Sequence, residues 1–339
     1  MNKKYSELAE LFRSEKTDEE ILDFLLNYHK NDIADMMAGM TEEERKRLYH
    51  LLGAQKVAEI FKYIEEPRKY IRELSVESAA RVISEMDSDD AVDLLEDLDP
   101  EEKEQIVRML DEDAKKDVKM LLSYDEEEIG SCMTTNYICI PENLTIRQAM
   151  SELVKQAGEN DNIMTIYVVD EKGVFAGAID LKDLIRAREN AHLEDLVLKS
   201  YPYVTDHEKI DDCMDRILDY AEDSIPVLSE DKKILGVITS EDLIEMVDNE
   251  MGEDYAKLAG LTAEEDLKEP TLQSMKKRLP WLIILLFLGM GVSSVVGLFE
   301  NVVAVLPVVI CFQSLVLDMA GNVGTQSLAV TIRVLMDEN

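Results

Sequence analysis

The chain has 339 residues with 72 acidic against 36 basic side chains, a formal net charge of -36 and an isoelectric point near 4.4. That length suggests two or three domains, and so acidic a surface repels phosphate and attracts cations, which argues against nucleic acid as a partner. Four cysteines (Cys132, Cys139, Cys213, Cys311) form no C-x-x-C pair and no even framework, so neither a zinc scaffold nor a disulfide-stapled secreted fold is indicated.

From the N-terminus to about residue 124 the apolar residues recur at three- and four-residue spacing, the period of helices. Nothing in the opening residues resembles a signal peptide. Thr17-Asp-Glu-Glu20 and Thr41-Glu-Glu-Glu44 read as capping boxes, in which hydroxyl and carboxylate satisfy each other's orphan backbone donors. Asp99-Pro100 reads as a cap followed by proline in the first turn. Short helices over 78–86, 89–98, 100–110 and 113–122 suggest a superhelical stack of helical hairpins rather than a bundle. Carboxylates cluster in their turns: Asp87-Ser-Asp-Asp90, Glu96-Asp-Leu-Asp99, Asp111-Glu-Asp113 and Asp125-Glu-Glu-Glu128. Acids at helix N-termini complement the dipole. The excess repels itself unless counter-ions offset it, which points to divalent cations.

At about residue 129 β-branched runs begin to alternate with helical stretches, and a repeat appears. Ile166-Tyr-Val-Val-Asp-Glu-Lys-Gly-Val-Phe-Ala-Gly-Ala-Ile-Asp-Leu-Lys-Asp-Leu-Ile185 aligns without gaps with Ile225-Pro-Val-Leu-Ser-Glu-Asp-Lys-Lys-Ile-Leu-Gly-Val-Ile-Thr-Ser-Glu-Asp-Leu-Ile244, matching Gly177 to Gly236 and Asp183 to Asp242. Each copy reads as strand, turn, strand and a helix capped at Asp180 or at Thr239 and Ser240. Upstream of each lie an extended segment (137–140, 203–205) and an amphipathic helix, the first opened by the capping box Thr145-Ile-Arg-Gln148. This pattern resembles a tandem pair of CBS domains. In nucleotide-binding members of that family a G-x-[IV]-[ST]-x-x-D pattern holds a ribose. The second copy keeps it in Gly236-Val-Ile-Thr-Ser-Glu-Asp242, so the resemblance implies Thr239 and Asp242 as nucleotide contacts; the competing reading is that they cap and solvate a helix. The first copy has Asp180 in place of the hydroxyl.

Helical pattern continues from Asp242 to about residue 261, with Asp242, Glu245, Asp248 and Glu250 near one face and Glu253 and Asp254 following. Such a run without basic partners at i+4 is held apart by several small repulsions. Something cationic is expected opposite it.

Residues 279–298 form an apolar run long enough to cross a bilayer, with Trp281 at its edge and Lys276, Lys277 and Arg278 just before it. From Pro280 onward only Glu300, Asp318, Asp337, Glu338 and Arg333 are charged, so the first 279 residues carry a net -33. The positive-inside rule places the N-terminal domains in the cytoplasm, the Glu300-Asn301 connection outside, and a second span returning to Arg333. That second span contains Ala320-Gly-Asn-Val-Gly-Thr-Gln-Ser327 between apolar segments 302–317 and 328–335. Polar, glycine-rich chain at membrane depth survives only where protein or a water-filled path covers it. The stretch therefore reads as a break on an ion path or as a close helix contact.

The order of parts, closed by Gly321-Asn-Val-Gly-Thr-Gln-Ser327 and Arg333, resembles the MgtE family of magnesium channels and transporters from end to end. The resemblance implies a multidomain fold. An all-α helical superhelix (1–128) is followed by CBS domains of α+β class (129–190 and 191–247), a connecting plug helix (248–272) and a transmembrane helical hairpin (273–339). It also implies a homodimeric, multi-pass cell-membrane protein in the lipid bilayer that passes Mg2+ and is held closed by Mg2+ bound among cytosolic carboxylates. Carried over by position, the sensing acids are Asp242, Glu245, Glu250 and Asp254, with Asp89, Asp90 and Asp93 as their partners on the helical domain. The pore-lining residues are Asn322, Thr325 and Gln326, with Asp318 beside them. ATP is a second ligand implied by the CBS pair. Family members have five membrane helices and a pore aspartate on the last; two are expected here, so the chain is either a truncated product or one that has lost pore function. The alternative reading is a membrane-tethered CBS sensor of adenine nucleotides without transport. With no nucleophile–base pair, no phosphate-cradling glycine loop and four scattered histidines (His29, His50, His192, His207), the sequence indicates no enzyme.

Overall fold

The computed structural model of the chain describes residues 17–64, 66–158, 160–188, 191–258, 271–299 and 307–337. They fall into two units, divided after Asp242. Among the described residues the first unit begins with eight helices: α1 (Asp18–Leu25), α2 (Lys30–Met37), α3 (Glu42–Phe61), α4 (Pro67–Ile71), α5 (Val76–Ser84), α6 (Ser88–Glu96), α7 (Pro100–Met109) and α8 (Glu112–Leu121). Both expected capping boxes form. The Glu20 and Glu44 carboxylates accept from the Thr17 and Thr41 backbone N–H groups at 3.0 and 2.8 Å, while the hydroxyls accept in return. Helices two apart in sequence pack together, α5 on α7 and α6 on α8, as a wound stack of hairpins requires. Ile21, Leu48, Ile83, Leu94 and Leu95 fill its interior.

Two details depart from a regular stack. Gly53 takes φ 77° inside α3 and kinks it, a backbone conformation open to glycine without strain. Asp99 and Asp87 stand at N-cap positions but cap nothing with their side chains. Asp99 instead pairs with Arg68 and Arg72, and Asp87 accepts from Asn136 Nδ2 at 2.7 Å. The Asp99 cap expected from sequence is thus replaced by ion pairing across helices. Deeper in the stack, the Arg45 guanidinium grips Glu73 through two bonds, Nε to Oε2 at 2.8 Å and Nη2 to Oε1, and donates to the Met37 and Met40 carbonyls.

The rest of the first unit comprises β1 (Ile138–Pro141), α9 (Ile146–Gln156), β2 (Thr165–Val169), β3 (Phe175–Asp180) and α10 (Leu181–Arg186), then β4 (Val204–Thr205), α11 (Ile210–Leu218), β5 (Ser224–Leu228) and β6 (Ile234–Thr239). Each half makes a three-stranded sheet in which the first strand runs parallel to the second and the second antiparallel to the third. The repeat extends to register: Val168 faces Gly177 and Val227 faces Gly236, each followed by a register shift at the next residue.

The halves are crossed. Thr134, ahead of the first sheet, bridges to Val237 on β6 of the second, and Leu198, ahead of the second sheet, bridges to Ala178 on β3 of the first. A Cβ on Gly177 would stand 2.5 Å from the Leu198 carbonyl oxygen, and one on Gly236 would stand 2.7 Å from that of Thr134. The matched glycines exist to let these crossing segments approach. Tyr167, fully buried, joins the halves through a 2.6 Å hydrogen bond between its hydroxyl and that of Ser224, while Tyr201 Oη donates to the Ser224 carbonyl at 2.8 Å.

Helix α12 (Ser240–Leu258) leaves the repeat without a break, so the expected boundary between CBS pair and plug at residue 247 falls inside one helix. The second unit takes most of α12, then α13 (Thr271–Leu298) and α14 (Pro307–Asp337). Among the described residues one helix segment, Arg278–Leu298, is long and apolar enough to cross a membrane, with mean hydropathy 2.3. The second expected span lies on α14, and the Glu300-Asn301 connection and residues 259–270 lie outside the described residues.

On helix α14 the backbone is helical throughout Ala320 to Ser327, so the glycine and amide residues interrupt the apolar pattern but not the helix. Two hydroxyls on this helix bond back to its own carbonyls: Thr325 Oγ1 donates to that of Gly321 at 3.0 Å and Thr331 Oγ1 to that of Ser327 at 2.8 Å.

Candidate functional site

Where the helical stack meets the repeat, the N-terminus of α6 is clipped down by hydrogen bonds from the loop before β1. The Thr135 backbone N–H donates to Ser88 Oγ at 2.9 Å, and Thr135 Oγ1 donates to Asp117 Oδ2 at 2.8 Å. Asn136 donates to Asp87, accepts from the Asp161 N–H at 2.9 Å, and offers its carbonyl to Asn162. The first turn of α6 and the start of α12 both line an open cavity of about 230 Å³. Its wall includes Asp87, Asp89 and Asp90 from α6, Thr239, Glu241 and Asp242 from the β6–α12 junction, and Lys62 from the end of α3.

The electrostatics of this cavity are those of carboxylates forced together out of water. Burial, aided by the charges of Asp242, Asp90 and Asp87, pushes the Asp89 carboxyl well above the usual carboxylate range. One of its oxygens, Oδ1, is buried without a hydrogen-bond partner. Asp90 is pushed up to about 7 by burial, with Asp87, Asp93 and Asp242 adding to the rise and Lys62 opposing it. Asp242 is raised by burial against the pull of its bonds to Thr239 and the charge of Lys62. Lys62 is the cation nearest these acids: Nζ stands 3.1 Å from Glu241 Oε2 and 3.9 Å from Asp87 Oδ2.

A buried carboxylate oxygen with no donor is an acceptor awaiting a cation or its water. Among the described residues no three His, Cys, Asp or Glu side chains converge closely enough to hold a metal ion by themselves.

Of the acids expected from sequence, Asp89, Asp90 and Asp242 are brought to one cavity. Asp93 lies one turn further along α6 and acts on Asp90 through its charge. Glu245 is exposed on α12, one turn past Asp242. Glu250 and Asp254 fall on the same helix, with side chains outside the described ones. Thr239 and Asp242 make a reciprocal cap: the Thr239 N–H donates to Asp242 Oδ2 at 2.7 Å and the Asp242 N–H to Thr239 Oγ1 at 3.3 Å. The capping role expected as the alternative to ribose binding is therefore present. On α14, Asp318, Asn322, Thr325 and Gln326 share one helical face by spacing.

Sequence reasoning did not single out Lys62, Glu241, Asp161 or Asn162. Lys62 follows Phe61 at a helix C-terminus, where a lysine is ordinary. Its acidic partners lie 25 and 179 residues further on.

A second acidic hollow lies where the chain leaving α8 meets the segment before α11. Tyr124, Glu127, Glu128, His207 and Lys209 line a cavity of about 630 Å³. Here His207 Nδ1 meets Glu128 Oε1 at 2.9 Å, which holds the imidazole above its ordinary pKa, and Tyr124 Oη donates to Asp206 Oδ2 at 3.1 Å.

Comparison with known proteins agrees with this architecture. The family description "MgtE intracellular N domain" matches residues 28–127, and "CBS domain" matches 127–190 and 193–249. The magnesium transporter MgtE of Enterococcus faecalis is 39% identical over 339 residues, covering 99% of this chain and 74% of the relative. The chain spans 48% of the MgtE of Bacillus subtilis, at 32% identity. A solved structure of the soluble part of a magnesium transporter superposes with TM-score 0.69 at 30% identity, over 73% of this chain and 98% of that one. The cytosolic domain of the Mg2+ channel MgtE in complex with ATP does so with TM-score 0.63 at 26% identity, over 71% and 99%. On its helical domain, its crossed repeat and a relative that matches 99% of its residues, the chain belongs to the MgtE family of magnesium transporters.

Proposed function

We propose that this chain carries the cytosolic Mg2+ sensor and part of the membrane path of a Mg2+ transport protein. The observation that carries the reading is the buried, unpartnered Asp89 Oδ1 in the wall of a cavity that Asp90 and Asp242 also line, shared by the helical domain and the repeat. Asp89, Asp90 and Asp242 would hold a hydrated Mg2+ there, supported by the charge of Asp93, while Glu245, Glu250 and Asp254 continue the acidic run along α12. With Mg2+ scarce, these acids repel and loosen the clip between domains. With Mg2+ abundant, the ion offsets their charge and the compact state is favoured by its differential affinity. Compaction is passed along the unbroken helix α12 toward α13, the Lys276, Lys277 and Arg278 side of the membrane segment being cytoplasmic.

Transport is proposed for a homodimer in the cell membrane, with Asp318, Asn322, Thr325 and Gln326 lining the path on α14. The deciding experiment follows proteinase K protection of residues 17–258 in the full detergent-solubilised chain as MgCl2 is raised through the millimolar range. Protection should rise with Mg2+ and fall again on chelation. An unchanged digestion pattern would sink the sensor reading. Cross-linking in vesicles tests the dimer.

A second reading, ATP binding by the repeat, is favoured by the ATP complex of the solved relative. Thr239 and Asp242 would be its contacts, in competition with the cap they form. Calorimetry with ATP on the wild-type chain and on Asp242→Ala separates the readings: a nucleotide sensor loses ATP heat and is indifferent to Mg2+, and a Mg2+ sensor does the reverse.

A further inference from the structure

We propose that Lys62 is a built-in counter-ion of the acidic cavity, whose ammonium competes with Mg2+ and sets the concentration at which the ion takes over. This rests on the sensor reading above. The cavity is lined by two lysines, and Lys30 is already taken by Glu59 at 2.9 Å. Lys62 alone of the two reaches the α6 and α12 acids, with Glu241 at 3.1 Å and Asp87 at 3.9 Å.

Its position is fixed by the fold. It caps α3 immediately after the buried Phe61, its N–H bonded to the Ala58 carbonyl, so the four-carbon stem starts from a rigid point and ends among the acids. The negative end of the α3 dipole favours a cation at that place.

A tethered single charge cannot match a divalent ion, but it is always present. It offsets part of the carboxylate repulsion when Mg2+ is scarce. Asp89 Oδ1, which Lys62 leaves unpartnered, is where a second cation still gains. When Mg2+ enters, it must do so against the positive charge of Lys62 a few ångströms away. For charges of one and two at that separation in a water-connected cavity, the opposition corresponds to about a tenfold weaker Mg2+ affinity. Lys62 thus raises the sensing range rather than completing the site.

The test is the Mg2+ midpoint for proteinase K protection in the full detergent-solubilised chain, compared for wild type, Lys62→Met and Lys62→Arg. Methionine keeps the stem without the charge, and arginine keeps the charge. The proposal expects the Lys62→Met midpoint about tenfold below wild type and the Lys62→Arg midpoint within about twofold of it. A Lys62→Met midpoint equal to or above that of a responding wild type overturns the role of Lys62 and leaves the sensor standing. A Lys62→Met chain still unprotected at saturating Mg2+ overturns it as well, because Mg2+ is then unable to replace the lost charge. If the wild type itself is indifferent to Mg2+, the sensor reading fails and this inference falls with it.

Discussion

The helical domain can present its acids only if its own interior holds, and the Arg45–Glu73 pair is where that is most exposed to test. Both side chains are about nine-tenths buried, at 8% and 10% exposure, and joined by two hydrogen bonds. Arg45 also serves the Met37 and Met40 carbonyls and lies 5.1 Å from the centre of the Tyr70 ring. Arg45→Met removes the guanidinium and leaves the Glu73 carboxylate buried and uncompensated. Breaking one partner of such a pair costs about 3–5 kcal/mol, a large part of the ~5–15 kcal/mol that holds a domain folded. Replacing both, as Arg45→Met with Glu73→Leu, removes the stranded charge. It should recover most of the loss and leave about 1–2 kcal/mol for the two orphaned carbonyls. Urea-dependent pulse proteolysis of the full chain, reading fragments from the helical domain, measures all three. A single mutant within 1 kcal/mol of wild type, or a double mutant no better than the single, would refute the reasoning.

Three further outcomes are expected. Asp89→Asn, which neutralises the carboxylate whose Oδ1 has no partner, should stabilise the Mg2+-free chain by about 1 kcal/mol or more and weaken its Mg2+ response, read by the same proteolysis with and without MgCl2. His207 is held above its ordinary pKa by Glu128, so the pair's contribution to stability is full below the unfolded-state value and is lost as pH rises through the folded one. NMR titration should show that midpoint above 6.5, and Glu128→Gln should bring it down. Gly177→Ala places a Cβ 2.5 Å from a backbone oxygen and should cost about 3 kcal/mol. Gly53→Ala meets open space and carries only the backbone strain of its φ 77° and ψ 169°, about 1–3 kcal/mol, whereas Gly177→Ala adds the clash to a positive φ of its own; thermal melts should show Gly177→Ala the less stable of the two.

Much of this was legible in the residues themselves because the signals are local. Thr17, Thr41 and Thr145 announce their helices within four residues, and all three boxes form. The alignment of Gly177 with Gly236 foretold two sheets of one register. What stayed hidden depends on chain segments brought together only by folding. Nothing near Arg45 specifies Glu73, 28 residues on, and nothing near Asp87 specifies Asn136, 49 residues on. The Asp99 cap failed because Arg68 and Arg72, about thirty residues earlier, compete for its carboxylate. The Ala320 to Ser327 stretch interrupts the apolar pattern of α14 without ending the helix, because glycine lowers helix propensity only modestly and removes no backbone donor.

The crossed arrangement of the repeat has a consequence for how such a molecule can be divided or assembled. Each copy owns an acceptor strand with a glycine notch and a donor segment ahead of its own sheet, yet each notch is filled by the other copy's donor. A copy severed from its twin would keep both halves of the joint unmated, so cutting at residue 191 should yield two fragments that seek each other, or a second copy of themselves. The duplication reads as a dimer joint captured within one chain, which gives the α6–α12 cavity a floor that dilution cannot separate.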